Sequence, residues 1–238
     1  MAIVTSTRTG APRIKPFAWS YSRLKNFEVC PKRHYEIDLA RNIKEPEGEQ
    51  LVWGNHVHEK FKDRCGEKRI AFPADFPTHY ESWAQKVIGT TPAKNIFVEQ
   101  SLAINENFTP TGNFADDAWL RVKCDFYKLV GDVCLTVDWK TGKILEDSVQ
   151  LALTAICLFA KHPELTAVRA SYVWLKDDCE SSENFLRGDV PTIWRSIWPR
   201  VEAMKNAHQF TNYPPTPSGM CMKWCAVKAC PHNGKRPT

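Results

Sequence analysis

The chain has 238 residues, of which 43% are hydrophobic and 25% are charged, with a formal net charge of +5 at pH 7. This composition is ordinary for a globular protein with a sizeable core. No apolar run approaches the roughly 18–20 residues of a membrane span, which argues against a transmembrane protein, and the modest positive charge is compatible with a polyanionic partner.

The chain order predicts three regions. Residues 1–18 are basic and lack the apolar stretch of a secretory signal, so we expect a flexible lead-in. Residues 19–211 should form the folded core, and residues 212–238 a cysteine-rich tail packed back on it. Periodicity and end signals predict helices near residues 19–27, 53–61, 78–88, 149–160 and 192–208, and strands near residues 96–104, 119–130, 133–140 and 168–175.

These elements favour an α/β fold, because a helix between two strands is typical of a strand–helix–strand crossover. In the second helix, Trp53, Val57 and Phe61 follow one another at intervals of four residues. We therefore expect all three to face the core.

Two aspartates flank a predicted two-residue turn, Gly131-Asp132. If the turn contains only these residues, Asp125 falls directly opposite Asp138, with Cβ atoms about 4.5–5.5 Å apart. Lys140 has the same parity as Asp138 and should project from the same face. Two carboxylates beside an ammonium predict a site for a hard divalent cation such as Mg²⁺. The alternative is a register shifted by one residue, with one aspartate solvated at a sheet edge.

His58, near the start of the second helix, is the leading candidate for a further ligand, ahead of His56. Its imidazole could complete a carboxylate-rich shell and would favour Mn²⁺ over Mg²⁺ somewhat. A histidine on a helix is more often a surface or core group, so the residues alone leave both interpretations open.

Five short motifs stand in the same order as in a known protein family. They are Ser20-Tyr21-Ser22-Arg23-Leu24, Gly54 with His58, Asp125, Asp138-Trp139-Lys140-Thr141-Gly142, and Gln150-Leu151. In this pattern the chain resembles the RecB-like nucleases of the PD-(D/E)XK superfamily, over about residues 20 to 232. The resemblance implies a restriction-endonuclease-like fold, in which helices flank a mixed central sheet.

The same resemblance implies a metal-dependent DNA nuclease, expected to be an exonuclease in DNA processing, recombination or repair. Its partners would be DNA, as single strands or duplex ends, and recombination or replication proteins. The expected location is the cytoplasm of a bacterium, or of a phage-infected host.

The resemblance also assigns roles to individual residues. Mg²⁺ or Mn²⁺ would be held by His58, Asp125, Asp138, the main-chain carbonyl of Trp139 and Glu99. Lys140 would act with Asp125 and Asp138, orienting the attacking water and stabilising charge on the phosphate. Contacts to the substrate would come from Gln150, Thr154 and Arg23.

Two positions depart from the family pattern. Val122 stands where the family usually has glycine, and Thr154 stands where it has tyrosine. Because the ligand positions are intact, these departures bear on DNA handling more than on the chemistry.

The nine cysteines are an odd number, and the chain shows no export signal, so a reducing cytoplasm with cysteines as metal ligands is favoured over a disulfide framework. Cys221, Cys225 and Cys230 leave a four-ligand site one short, and Cys30 can supply the fourth thiol. Such a set suits a [4Fe–4S] cluster or a structural Zn²⁺ ion, with His232 as a substitute zinc ligand.

The resemblance favours the iron–sulfur cluster, because the family's cluster-bearing members place one cysteine early and three late. Their usual late spacing is two then five intervening residues, whereas here it is three then four. Reduced thiols without a ligand are the remaining alternative.

Two rival functions stay open at this point. One is a catalytically silent iron–sulfur module that binds DNA, and the other is a structure-specific or RNA-directed nuclease on the same scaffold.

Overall fold

The computed structural model describes residues 16–145 and 147–236. Nearly all of the expected flexible segment, residues 1–18, lies outside them. The helices are α1 (Tyr21–Val29), α2 (Pro31–His34), α3 (Glu49–Cys65), α4 (Thr78–Ile88), α5 (Val149–Lys161), α6 (Val190–Gln209) and α7 (Met220–Lys223). The strands are β1 (Ile96–Ile104), β2 (Leu120–Val130), β3 (Val133–Lys140), β4 (Ala167–Trp174) and β5 (Cys179–Leu186).

The five strands form one mixed sheet in the order β1-β2-β3-β4-β5. All neighbours are antiparallel except β3 and β4, which are parallel and joined through α5. The predicted α/β class, the four predicted strands and the crossover are therefore confirmed.

The edge strand β5 was not predicted from the sequence. Its sequence is mostly polar, and of its eight residues only Phe185 is buried. An edge strand needs no apolar alternation when it is mostly open to solvent, so the usual signal of a strand is missing.

Two apolar cores cover the two faces of the sheet. On one face, α1, α5 and α6 contribute buried side chains such as Leu24 and Leu153. On the other face, α3 and α4 pack on the sheet, with the rings of Phe61 and Trp139 stacked at 4.1 Å between centroids. Full burial of a large apolar side chain contributes about 1.5–3 kcal/mol, so these two layers fix the helices on the sheet.

One expectation about α3 is wrong. Val57 and Phe61 are fully buried as expected, but 44% of Trp53 is exposed. Its ring packs against His56 and Phe76 at the margin of the core, which leaves one side open to solvent.

The alternation of side chains reverses in the middle of β1 and β2. On β2, Cys124 and Tyr127 both join the α5-side core although three positions separate them, and Phe126 joins the α3-side core. On β1 the reversal coincides with Glu99, whose φ of +52° is rare for a residue other than glycine. Asp125 lies at the reversal of β2, so it can reach groups from both faces of the sheet.

The start of α1 is anchored to the beginning of β2. Ser20 caps the helix, since its hydroxyl accepts from the backbone N–H of Arg23. The backbone of Trp19 accepts a hydrogen bond from the N–H of Arg121 in β2 and donates one to the carbonyl of Trp119, which directly precedes β2. This pairing carries Arg23 and Arg121 to the same side of the molecule.

Among the described residues, no helix combines the length and apolar character needed to cross a bilayer.

Candidate metal centre and adjoining basic cleft

The β2–β3 hairpin has the register that the two-residue turn predicts. Val130 pairs with Val133 across the turn, and Gly131 takes a positive φ of 62°, which a glycine adopts without strain. The ladder continues to Phe126 opposite Val137 and ends there. The next positions along the two strands are Asp125 and Asp138, so the expected register is confirmed.

Beyond the end of the backbone ladder, the side chain of Asp125 supplies the next hydrogen bond between β2 and β3. Its Oδ2 atom accepts a hydrogen bond from the backbone N–H of Trp139 at 3.0 Å and lies 3.3 Å from Nδ1 of His58. Because the N–H and C=O of a strand residue point to the same side, the carbonyl of Trp139 also points toward β2. Only 8% of Asp125 is exposed, so these contacts fix its carboxylate.

One group of side chains among the described residues is spaced closely enough to share an ion. It comprises His58, Glu99 and Asp125, whose ligand atoms all lie within 4.8 Å of one another. Ligands on opposite sides of a cation with bonds of 2.1–2.6 Å are about 4–5 Å apart. The spacing therefore fits a divalent cation, and Glu99 belongs to the group together with two ligands that the resemblance favoured.

The electrostatics of this group favour positive charge. Burial by itself lowers the pKa of His58, but the hydrogen bond with Asp125 and the charges of Asp125, Asp138 and Glu99 raise it overall. Glu99 in turn contacts the exposed ammonium of Lys123 at 2.6 Å. A divalent cation would offer the same carboxylates more charge than either of these side chains does.

Asp138 is held by a second set of contacts. Lys140 Nζ lies 2.9 Å from one carboxylate oxygen, and the side-chain amide of Gln150 donates to the other. Lys140 Nζ also donates to Gln150 Oε1 at 3.0 Å, which closes a triangle of hydrogen bonds. Burial and the charge of Asp125 raise the pKa of Asp138 to about 6, against the opposing charge of Lys140. Asp138 is thus not a member of the three-residue group, and its share in binding an ion stays a prediction.

One departure from the family pattern, Thr154, and one glycine of the motifs, Gly54, have local explanations. The hydroxyl of Thr154 donates to the backbone carbonyl of Gln150 at 2.9 Å, and Thr154 is buried. Thr154 therefore contacts the first turn of α5 and does not line the cleft that opens beside Lys140 and Gln150. A Cβ atom at Gly54 would lie only 3.2 Å from Oγ1 of Thr141, so α3 approaches the end of β3 closely at this residue.

A cleft of about 740 Å³ opens beside Lys140 and Gln150. Its walls come from the start of α1 and from β2 and carry four basic side chains, Arg23, Lys25, Arg121 and Lys123. Hydroxyls at the start of α1 line it as well, where the unpaired N–H groups of a helix favour anions. The cleft thus places basic side chains beside Lys140 and Gln150, which bind the carboxylate of Asp138.

The four cysteines of the sequence hypothesis line one small cavity between α2 and the tail. Backbone N–H groups point at two of the sulfurs: Thr216 donates to Cys30 at 3.4 Å and Ser218 donates to Cys221 at 3.5 Å. The Nε atom of Arg33, which lines the same cavity, is buried and has no partner among the described residues. Such donors suit thiolates or another anionic sulfur group.

The spacing of these thiols differs from that of a zinc site. Four thiolates around one Zn²⁺ ion lie about 3.8 Å from one another, given Zn–S bonds near 2.3 Å. Over residues 16–145 and 147–236, no three of the four cysteines have their sulfurs within 4.8 Å of one another. The four sulfurs are therefore not gathered as closely as a single tetrahedral ion requires.

Comparisons with known proteins show similarity at the level of the fold. No protein-family model matches the chain, and no curated protein matches it in sequence. The fold is similar to that of a protein from Eubacterium rectale described as a predicted exonuclease, with a TM-score of 0.52 and 11% identity over 100% of this chain and 97% of that one. The crystal structure of SSO0001 aligns with a TM-score of 0.45 and 13% identity over 94% of this chain and 90% of that one. The chain, with its five-stranded mixed sheet flanked by helices, thus shares its overall α/β fold with a structure described as a predicted exonuclease.

Proposed function

We propose that the chain is a divalent-metal-dependent DNA nuclease of the RecB-like type, acting as an exonuclease. The observation that carries this proposal is the convergence of Asp125, Asp138, His58 and Lys140 beside one basic cleft. Buried carboxylates next to a surface of opposite charge suit a cation that in turn binds phosphate. The shared fold with a structure described as a predicted exonuclease supports the same activity.

The proposed ligands are His58, Glu99, Asp125 and Asp138, with the main-chain carbonyl of Trp139. Carboxylate and carbonyl oxygens suit Mg²⁺, and the imidazole nitrogen makes Mn²⁺ at least as suitable. When bound, the ion would lower the pKa of a coordinated water and offset charge that develops on the phosphate oxygens.

The chain's own side chains position the reacting groups and offset negative charge on the phosphate. Lys140 is held between Asp138 and Gln150, so its ammonium is fixed at the floor of the cleft, where it can orient a water and offset phosphate charge. Gln150 fixes both of its partners, and Thr154 steadies Gln150 through the backbone. Arg23 and its basic neighbours hold the DNA backbone against this floor.

A nuclease assay with a matched pair of variants tests the proposal. We expect the wild type to degrade linear DNA with Mg²⁺ or Mn²⁺ and not with a chelator. Asp138→Ala should reduce the rate by about 10²–10³-fold or more, since a group that organises charge in the transition state is removed. Asp132→Ala, in the exposed turn of the same hairpin, should cleave like the wild type.

Parallel substrates separate the rival functions. Linear single strands, duplexes, circles and RNA distinguish an exonuclease from a structure-specific or RNA-directed enzyme. If the wild type cleaves none of them with either ion, a silent DNA-binding module is the better description.

We further propose that Cys30, Cys221, Cys225 and Cys230 hold a [4Fe–4S] cluster that fastens the tail to α2. The shared cavity, the two N–H donors to sulfur and the spare Nε of Arg33 support an anionic sulfur group. A cube of iron and sulfide holds its cysteines farther apart than one Zn²⁺ ion does, which agrees with the spacing of the four sulfurs. When bound, the cluster would act as a crosslink between distant parts of the chain.

Metal analysis after anaerobic purification tests this second proposal. We expect a coloured protein with about four irons per chain. Cys225→Ser should lose the iron and the colour, whereas Cys179→Ser, outside the cavity, should keep both. A colourless sample that contains one zinc per chain would replace the cluster with a zinc site.

A further inference from the structure

A second cavity, of about 730 Å³, lies on the far side of Arg23 and Arg121 from the cleft. Both arginines line the cleft and the second cavity, so the two spaces meet at this pair of side chains. The second cavity extends toward α2, the π-helical turn Tyr35–Leu39 that follows it, and the chain after α6. Nothing in the proposed chemistry uses this space.

Three guanidinium groups converge at this junction, those of Arg23, Arg41 and Arg121. Burial lowers the pKa of Arg23, and the charges of Arg121 and Arg41 lower it further against the opposing charge of Asp38. Within the part of the chain that the structure describes, none of the three arginines makes an ion pair, and Nε of Arg121 is buried without a partner.

Two carboxylates also line the cavity, but they do not cancel this charge. Asp38 accepts hydrogen bonds from the side chains of His34 and Asn26, and Asp116 is the other. Three guanidiniums therefore face two acids, one of which also accepts hydrogen bonds from neutral or histidine side chains. Converging arginines with spare donors suit phosphate groups, which they can bind in a bidentate manner.

Aromatic rings line the rest of the cavity. Tyr35 and Tyr213 stack on one another with centroids 4.8 Å apart, and Phe114 stands at the margin with 89% of its surface exposed. His34 is fully buried in the same wall, and its Nε2 atom has no partner among the described residues, while Nδ1 contacts Asp38. An exposed phenylalanine and an unpaired ring nitrogen indicate a ligand with flat faces and polar edges.

We propose that a single nucleic-acid strand runs from the cleft past Arg23, Arg41 and Arg121 into this second cavity, where one or two unpaired bases stack on the aromatic side chains. This inference rests on the proposed function, because the strand is the substrate that Lys140 and the carboxylates act on. A cavity of this volume lies in the range of about 300–1,000 Å³ that holds a ligand of nucleotide size. Bases within a duplex have no free face to offer, so the site selects single strands.

Binding of labelled oligothymidines, measured by fluorescence anisotropy in a chelator, tests the proposal without cleavage. Lengths from about 4 to 16 nucleotides cover the span of a single-strand groove. We expect Arg41→Ala and Arg121→Ala to weaken binding and each to reduce the slope of log K against log salt by about 0.7, the value for one phosphate contact on a single strand. Arg41 is exposed, so its removal should leave the fold intact.

The aromatic contribution has its own pair of variants. Phe114→Ala should weaken the binding of long strands about 5- to 100-fold without changing the salt slope, since stacking of a base is lost but no charge. Phe114→Tyr should bind like the wild type. Lys94→Ala, which removes an exposed charge just before β1, should change neither affinity nor slope.

The strand path is wrong if Arg41→Ala and Phe114→Ala both bind like the wild type, or if a blunt duplex binds as tightly as a single strand. Because the measurement needs no divalent ion, a chain without nuclease activity can still pass it. Conversely, if the wild type cleaves DNA but these variants bind single strands as tightly as the wild type, the proposed function stands and the proposed strand path is wrong.

Discussion

The candidate metal centre and the cysteine cavity differ in how firmly the fold holds their side chains. The carboxylates of Asp125 and Asp138 lie on central strands, and hydrogen bonds to Trp139, Lys140 and Gln150 fix them. The late cysteines lie on α7, which has four residues, and in the turns that follow it. A sheet thus preorganises the first site, whereas the second depends more on the group that would join its ligands.

The contrast has a physical cause. Backbone ladders and two buried cores hold β2 and β3 whether or not an ion is present. The tail has few buried residues, Cys225 and Val227 among them, so local packing contributes little to its stability. Joining residues as far apart as Cys30 and Cys221 then restricts the unfolded chain strongly.

Removing the divalent ion from one site and the cluster from the other should give the largest difference between the two sites. A chelator that removes Mg²⁺ and Mn²⁺ should abolish cleavage reversibly while circular dichroism stays that of a folded protein. Cys225→Ser should instead lower the free energy of unfolding by about 2–5 kcal/mol, as the loss of a native disulfide crosslink does. Denaturant titrations of both samples, with Cys179→Ser as the control, measure the difference. Unfolding by the chelator alone would contradict the preorganised metal centre.

A smaller effect should follow from loosening the triangle around Asp138. Gln150→Ala removes the amide that fixes Asp138 and Lys140, and we expect cleavage to slow by about 10–100-fold, as for other groups that orient metal ligands. Gln85→Ala, which removes an exposed amide on α4, is the matched control. Steady-state rates at several Mn²⁺ concentrations distinguish weaker ion binding from slower chemistry. Equal rates for both variants would mean that Lys140 is held without Gln150.

The smallest effect concerns the backbone at Glu99. Its positive φ disfavours side chains, so Glu99→Gly should be more stable than Glu99→Ala by about 1 kcal/mol. Both variants lose the carboxylate and should lose affinity for Mn²⁺ equally. Thermal or denaturant unfolding of the pair checks the first point, and ion titration checks the second. If the two variants are equally stable, the left-handed backbone at this position is not strained.

Much of the hairpin could be predicted from sequence, because its signals are local. Gly131 marks the turn. A turn of two residues sets the register that places Asp125 and Asp138 opposite one another on the two strands. The reversal at Glu99 could not be predicted, since a glutamate carries no signal for a positive φ. Strand β5 was missed for a similar reason, as its residues are polar and exposed.

The sequence by itself determined four of the five strands and the hairpin, because their signals lie in residues near one another. Only the tertiary structure decided that Glu99 joins His58 and Asp125, that Lys140 and Gln150 bind Asp138 as one unit, and that Arg121 meets Arg23. The physical reason is that these partners lie on different elements, and their distances depend on how α1, α3 and α5 pack against the two faces of the sheet.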